Sequence, residues 1–281
     1  GVILYSSWGT VEDIRQVARL CASAQAEAAR AKVPGLFVGI DQEGGPVNRL
    51  REGGTVFPSQ MAVAASGNRE HARAMAAVTA SELLTLGVNL NFVPVADVNS
   101  NPANPIIGIR AFSSDPNTVS RLTAVMVEEY RRAGVLCTPK HFPGHGDTDV
   151  DSHLGLPVAS HDLKTLDRID FAPFRAAFKA GAQAVMTAHV EVPAIEPDKS
   201  LPATLSRRVL EETLRKQMRF EGLIFTDSLG MGALSKGVGT VRAAVMAAKA
   251  GADVLLFGAD IDHDPAQQVE AYEALLAAAR S

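Results

Sequence analysis

The stretch Ala133-Gly134-Val135-Leu136-Cys137-Thr138-Pro139-Lys140-His141 holds the phrase on which the fold turns: a glycine closing a helix, a short apolar strand, then polar side chains. Glycine tolerates the left-handed conformation in which many helices end. The phrase recurs at Leu86-Gly87-Val88, Ala180-Gly181-Ala182 and Ala250-Gly251-Ala252, so helix and strand alternate along the chain. Near the start, Thr10 reads as the N-cap of a helix that carries Ile14, Val17, Ala18, Cys21 and Ala28 on one face.

Seven apolar segments are expected as strands: residues 2–5, 36–40, 90–95, 135–139, 184–187, 223–226 and 254–257. Each is apolar enough to be covered on both faces, as parallel strands between helices are. The alternation predicts an α/β fold, a TIM-type (β/α)8 barrel formed as a single domain over residues 1–281. Such barrels typically take about 250 residues. Seven strands leave the barrel one short, and the chain opens on a strand and closes on a helix, so the first strand and helix are expected to precede Gly1. An open doubly wound sheet is the alternative.

The polar residues favour the barrel. Asp41, Asp97, Lys140 with His141, His189 and Asp227 all stand at or just past the C-terminal end of an expected strand. Barrel active sites gather at that face, built by the loops that follow the strands. Four long non-periodic stretches, residues 42–67, 99–117, 142–157 and 191–206, each follow a strand and are expected to shape the site.

Composition narrows the partners. With 27 Lys and Arg against 31 Asp and Glu, the net charge of −4 lacks the basic excess of a nucleic-acid binder, so no nucleic acid is expected. No run is apolar and long enough to span a bilayer, and no signal peptide is evident; the expectation is a cytoplasmic monomer with no membrane span. Cys21 and Cys137 fall in an expected helix and strand and read as two buried thiols.

Chemistry concentrates in Lys140-His141-Phe142-Pro143-Gly144-His145-Gly146-Asp147-Thr148-Asp149-Val150-Asp151-Ser152-His153. A metal site is one reading of three histidines and three later aspartates, although Lys140 is an awkward neighbour for a cation. The other reading makes Lys140 and His141 donors to the hydroxyls of a polar substrate. Asp151 and His153, two residues apart, would lean to one side of an extended loop, so the carboxylate can orient the imidazole for proton transfer. Asp227, in Phe225-Thr226-Asp227-Ser228-Leu229-Gly230-Met231, could be a helix cap, or the nucleophile of a two-step glycosyl transfer. Asp147 and Asp149 read as solvated loop carboxylates, His145 and His189 as supports for the site, His71 and His263 as surface groups, and Trp8 as a rim aromatic.

Asp41-Gln42-Glu43-Gly44-Gly45 with Arg49, the run from Lys140 to His153, and Phe225-Thr226-Asp227-Ser228 with Gly230-Met231 resemble the β-N-acetylglucosaminidase branch of the family 3 glycoside hydrolases. The resemblance runs through nearly the whole chain, and the Asp-Ser-His after Lys-His-Phe-Pro-Gly-His-Gly is its most specific part. It implies Asp227 as nucleophile, His153 as general acid and then base, and Asp151 as its partner. It also implies sugar binding by Asp41, Arg49, Arg110, Lys140 and His141, with no metal or organic cofactor. Ala111, after Arg110, stands where the family usually shows serine. The implied activity is retaining removal of terminal β-linked N-acetylglucosamine (GlcNAc) from peptidoglycan fragments (muropeptides) or chitooligosaccharides. Alternatives are a phosphorylase on the same fold, since an imidazole does not repel phosphate, and a metal-dependent barrel hydrolase.

Overall fold

In the computed structural model, which describes residues 1–6, 9–150, 155–258 and 264–280, helices and parallel strands alternate as expected. They run β1 (Val2–Leu4), α1 (Ile14–Arg30), β2 (Val38–Ile40), α2 (Gln60–Ala65), α3 (Arg69–Thr85), β3 (Leu90–Asn91), α4 (Pro116–Ala133) and β4 (Leu136–Cys137). Then follow α5 (Leu163–Thr165), α6 (Phe171–Lys179), β5 (Ala184–Met186), β6 (Leu223–Ser228), α7 (Gly232–Ser235), α8 (Thr240–Ala250), β7 (Val254–Leu256) and α9 (Ala266–Arg280). All seven expected strands form. Trp8, Asp151, His153 and His263 lie outside the described residues.

The helix ends explain themselves locally. Asp115 accepts hydrogen bonds from the N–H groups of Asn117 and Thr118, Pro116 opens α4, and Gly134 closes it at φ 81°. The first helix corrects the reading of Thr10. Its cap is Asp13, which accepts from the N–H of Arg15 at 2.7 Å and of Gln16 at 2.8 Å. Thr10 instead folds back on Tyr5, accepting from its N–H and donating to its carbonyl.

Strands β1 to β4 form one parallel sheet in chain order and β5 to β7 a second. Beyond β4, Phe142 N–H donates to Met186 O at 2.8 Å and Ala188 N–H to Phe142 O at 2.7 Å, which stitches the two sheets together. Alternate side chains turn to one shared interior: Leu90, Phe92, Ala184, Met186, Phe225 and Leu256 pack there as a single apolar cluster. The intervening residues, such as Ile40, Cys137, Val185 and Ile224, face the helices. Gly39 carries no side chain because Phe92 occupies the space; a Cβ would lie 2.8 Å from its ring.

The expected closed barrel is met only as an α/β fold with parallel sheets. Among the described residues β1 and β7 do not pair, and an apolar hollow of about 430 Å³ lies beside them, lined by Val2, Ile3, Phe37, Phe225 and Val254. No described helix is long and apolar enough to cross a membrane, and both cysteines are buried free thiols.

The loops after β3 and β4 meet backbone to backbone. A Cβ on Gly146 would lie 1.8 Å from the Val98 carbonyl oxygen, and Asn101 N–H donates to Gly146 O. Because the obstruction is backbone, Gly146→Ala is expected to lower the free energy of unfolding by about 3 kcal/mol in urea titration. A loss below about 0.5 kcal/mol would show that these loops do not meet this way.

Candidate active site

The two-residue period of the strands carries the interior upward into polar residues. Asp41 follows Gly39, Lys140 follows Leu136 and Thr138, and Asp227 follows Leu223 and Phe225, so the next layer above the apolar cluster is charged. The β6–β7 register shifts between Phe225 and Ser228, a bulge beside Asp227 of the kind that re-aims a side chain. The resulting cavity, of about 680 Å³, has Phe92, Met186 and Leu256 among its lining and Asp41, Lys140 and Asp227 around them.

One ionic network ties this layer together. Glu43 Oε2 accepts from Arg110 Nε at 2.9 Å, and its Oε1 accepts from Arg110 Nη2 at 2.9 Å and Lys140 Nζ at 2.7 Å. Lys140 Nζ also donates to Asp41 Oδ1 at 2.7 Å, and Arg49 Nη2 stands 3.7 Å from Asp41 Oδ2. Burial alone would raise the Glu43 carboxyl, but the Arg110 guanidinium and Lys140 ammonium hold it well below the usual carboxylate range. Burial would likewise lower Lys140, yet Asp41 and Glu43 keep it above its ordinary value.

Gln42 fixes the loop that presents these groups. Its side-chain oxygen accepts from the N–H of Arg49 and of Leu50, while its own N–H donates to Asn91 on β3. Arg49 thereby stands over the Tyr5 ring, its guanidinium carbon 5.1 Å from the centroid.

A second set orients the histidines. Asp97 accepts from His141 Nδ1 at 2.7 Å and from the His145 N–H at 2.7 Å, which leaves Nε2 of His141 as that ring's second hydrogen-bonding atom. Burial would raise the Asp97 carboxyl, but His141 and His145 hold it below its ordinary value. Burial, with His141 close by, pushes His145 down to about 4, so that ring is neutral near pH 7. His189 Nε2 bonds the Ser228 carbonyl at 2.9 Å and therefore carries a hydrogen. Ser228 N–H in turn donates to Asp227 Oδ1 at 2.7 Å. Against its burial, Asp227 is held below the ordinary aspartate value by His189, His141, the Ser228 N–H and Lys140.

Of the residues singled out from sequence, Asp41, Arg49, Arg110, Lys140, His141 and Asp227 line one cavity. Asp151 and His153 lie outside the described residues. Sequence reasoning passed over Glu43 as a working group, though it sits inside the Asp41-Gln42-Glu43-Gly44-Gly45 run, and it placed Asp97 at a strand end without assigning its bond to His141. Asp147 is also corrected. It is not a solvated carboxylate but accepts from Ser160 Oγ at 2.7 Å and stands 3.3 Å from His161 Nε2. His71 is exposed, with its Nδ1 2.9 Å from Ser66 Oγ.

A cavity walled by fixed donors and acceptors, in which Asp41 and Glu43 are paired with Lys140 and Arg110 and the Asp227 carboxylate stands beside them, fits a neutral, polyhydroxylated ligand. The chain matches the glycosyl hydrolase family 3 N terminal domain over residues 1–279. It is 42% identical over 248 residues to a beta-hexosaminidase of Xanthomonas oryzae pv. oryzae, covering 86% of this chain and 71% of that one. It is 38% identical over 272 residues to beta-hexosaminidase A of Pseudoalteromonas piscicida, covering 91% of this chain and 45% of the relative. The solved structure of a family 3 beta-N-acetylglucosaminidase from Paenibacillus sp. str. FPU-7 superposes with a TM-score of 0.95 at 46% identity, over 99% of this chain and 52% of that one. The chain thus spans about half the length of the last two proteins. The match over nearly every residue, together with the shared fold, shows that the chain belongs to glycosyl hydrolase family 3 through that family's N-terminal domain.

Proposed function

We propose that this protein is a retaining exo-β-N-acetylglucosaminidase that releases terminal β-linked GlcNAc from peptidoglycan fragments or chitooligosaccharides. The observation that carries the reading is the Asp227 carboxylate, held below its ordinary value within a cavity that also presents Asp41, Arg49, Arg110, Lys140 and His141. The names of the relatives, beta-hexosaminidase and beta-N-acetylglucosaminidase, support the same substrate class.

In this reading the hydroxyls of the terminal sugar bind Asp41, Arg49, Arg110, Lys140 and His141. Asp227 attacks the anomeric carbon while the bond to the leaving oxygen breaks, and His153, oriented by Asp151, gives that oxygen its proton. The glycosyl–Asp227 ester then opens to water, whose proton returns to His153. We further infer that the two sheets belong to one (β/α)8 barrel. The single interior layer they share supports this, and the remaining strand position would lie between β7 and β1, where the apolar hollow is.

Incubation with a slow fluorinated GlcNAc donor is expected to add one glycosyl mass to Asp227 by peptide mass spectrometry; labelling of any other residue would overturn the assignment. With an aryl glycoside of a strongly acidic phenol, whose departure needs no proton, His153→Ala is expected to lower kcat/KM by less than about 10-fold and Asp227→Ala by at least about 1,000-fold. Equal losses would remove His153 from its role. Glu43 touches no substrate in this scheme but fixes two residues that do, so Glu43→Gln is expected to cost about 2 kcal/mol in transition-state binding, roughly 30-fold in kcat/KM. Unchanged kinetics in a folded Glu43→Gln enzyme would mean that Arg110 and Lys140 are held by other means.

A further inference from the structure

Away from the cavity, three side chains that the proposed reaction does not use form a continuous chain. His161 Nδ1 lies 2.7 Å from Asp170 Oδ2, and its Nε2 lies 3.3 Å from Asp147 Oδ1, so one imidazole joins two carboxylates. Asp147 Oδ2 also accepts from Ser160 Oγ at 2.7 Å and from Ser160 N–H at 3.3 Å. Asp170 closes the helical segment Leu166–Asp170, which runs into α6, and its side chain is only 3% exposed. It fits directly under Gly144, where a Cβ would meet Asp170 Cβ at 2.8 Å. Burial pushes the Asp170 carboxyl up to about 6 against the pull of His161, so it depends on that ring to stay charged.

The place of this chain gives it a use. Asp147 and Ser160 stand at the two ends of one loop, and Asp151 and His153 fall between them in sequence. The first end is pinned on its other side too, since Asn101 Nδ2 donates to the carbonyls of Asp147 and Thr148. The second is pinned by the parallel pairing of Val158 with Glu191, through Ala159 N–H to Glu191 O and Glu191 N–H to Pro157 O, each 2.8 Å. Among the described residues, the Asp147–Ser160–His161–Asp170 contacts join one end to the other and both to the core.

We propose that Asp147, His161 and Asp170 are positioning residues that fasten the two ends of the 147–160 loop to each other and to α6, and thereby set the proton transfer performed from that loop. The proposal rests on the reading of His153 as acid/base. A general acid works only within hydrogen-bond reach of the leaving oxygen, and a misplacement of about 1 Å can cost about 100-fold. Loosening the neck should therefore slow the steps that need the proton and spare those that do not.

The test compares His161→Leu and Asp147→Ala with the unaltered enzyme on two GlcNAc donors, one leaving as a strongly acidic phenol and one as a sugar. Asp147→Ala opens the neck without stranding the buried Asp170 carboxyl, should His161→Leu fail to fold. The expected result is kcat/KM within about 3-fold on the phenol donor, a fall of at least about 10-fold on the sugar donor, and recovery of kcat on the phenol donor by added azide. Recovery should also follow from Asp147→Asn, which keeps an acceptor for Ser160. Equal losses on both donors, or no loss on either, would overturn the clamp. His153→Ala run alongside separates the causes. If it shows the donor split and the neck variants do not, the clamp alone is wrong; if it lacks the split, the acid/base reading falls and takes the clamp with it.

Discussion

Glu43 accepts three hydrogen bonds from Arg110 and Lys140, all within 2.9 Å, at a position that is 1% exposed. An isolated carboxylate there would be too costly to ionise, and removing one partner of such a pair commonly costs about 3–5 kcal/mol. The constraint is therefore mutual: each charge is tolerable because the others are present. It joins groups 67 and 99 residues apart in sequence, so the loops after β2 and β3 and the end of β4 cannot be placed independently. It also decides what the cavity offers. Asp41 and Glu43 offset Lys140 and Arg110, so the cations act on a ligand as directed donors rather than as net positive charge, which suits sugar hydroxyls better than an anion.

Below that layer the architecture follows from side-chain alternation. The interior apolar cluster and the outward-facing residues that meet the helices come from the same short strands, and the polar residues appear where each strand outruns the apolar cluster. This is why so much was legible in sequence. An apolar run preceded by a glycine-ended helix and followed by Asp97, Lys140 or His189 contains strand, direction and polar end in a single phrase. Glycines at 134 and 251 take positive φ where the phrase requires it. What stayed illegible was pairing at a distance. Nothing near Glu43 points to Arg110, nothing near Asp147 points to His161, and a carboxylate in a glycine-rich loop has the same local signature whether solvated or clamped. Thr10 and Asp13 offered the same cap chemistry three residues apart, and only the position of the first turn chose between them.

The site is divided between two kinds of support. Asp41, Lys140 and Asp227 stand at strand ends, where the sheet fixes their backbone, while the proposed proton donor belongs to the loop whose two ends meet through Asp147 and Ser160. Such a division fits a two-step transfer. The nucleophile must meet the anomeric carbon along one line in both steps, whereas the acid/base must serve a leaving sugar first and a water molecule afterwards.

The charge count then bears on the proposed transition state. His145 is neutral near pH 7, so beside Asp97 and His141 it adds no cation to the wall. Asp41 and Glu43 offset Lys140 and Arg110, while Arg49, 3.7 Å from Asp41, brings one further cation to the cavity and Asp227 one further carboxylate. Positive charge gathering at an anomeric carbon would meet that carboxylate inside a cavity whose other charges are already committed to one another, and little reorganisation would be needed as the charge forms. In the proposed reaction Glu43 thus contributes from a distance: by offsetting Arg110 and Lys140, it keeps those two cations from opposing the charge that Asp227 would stabilise.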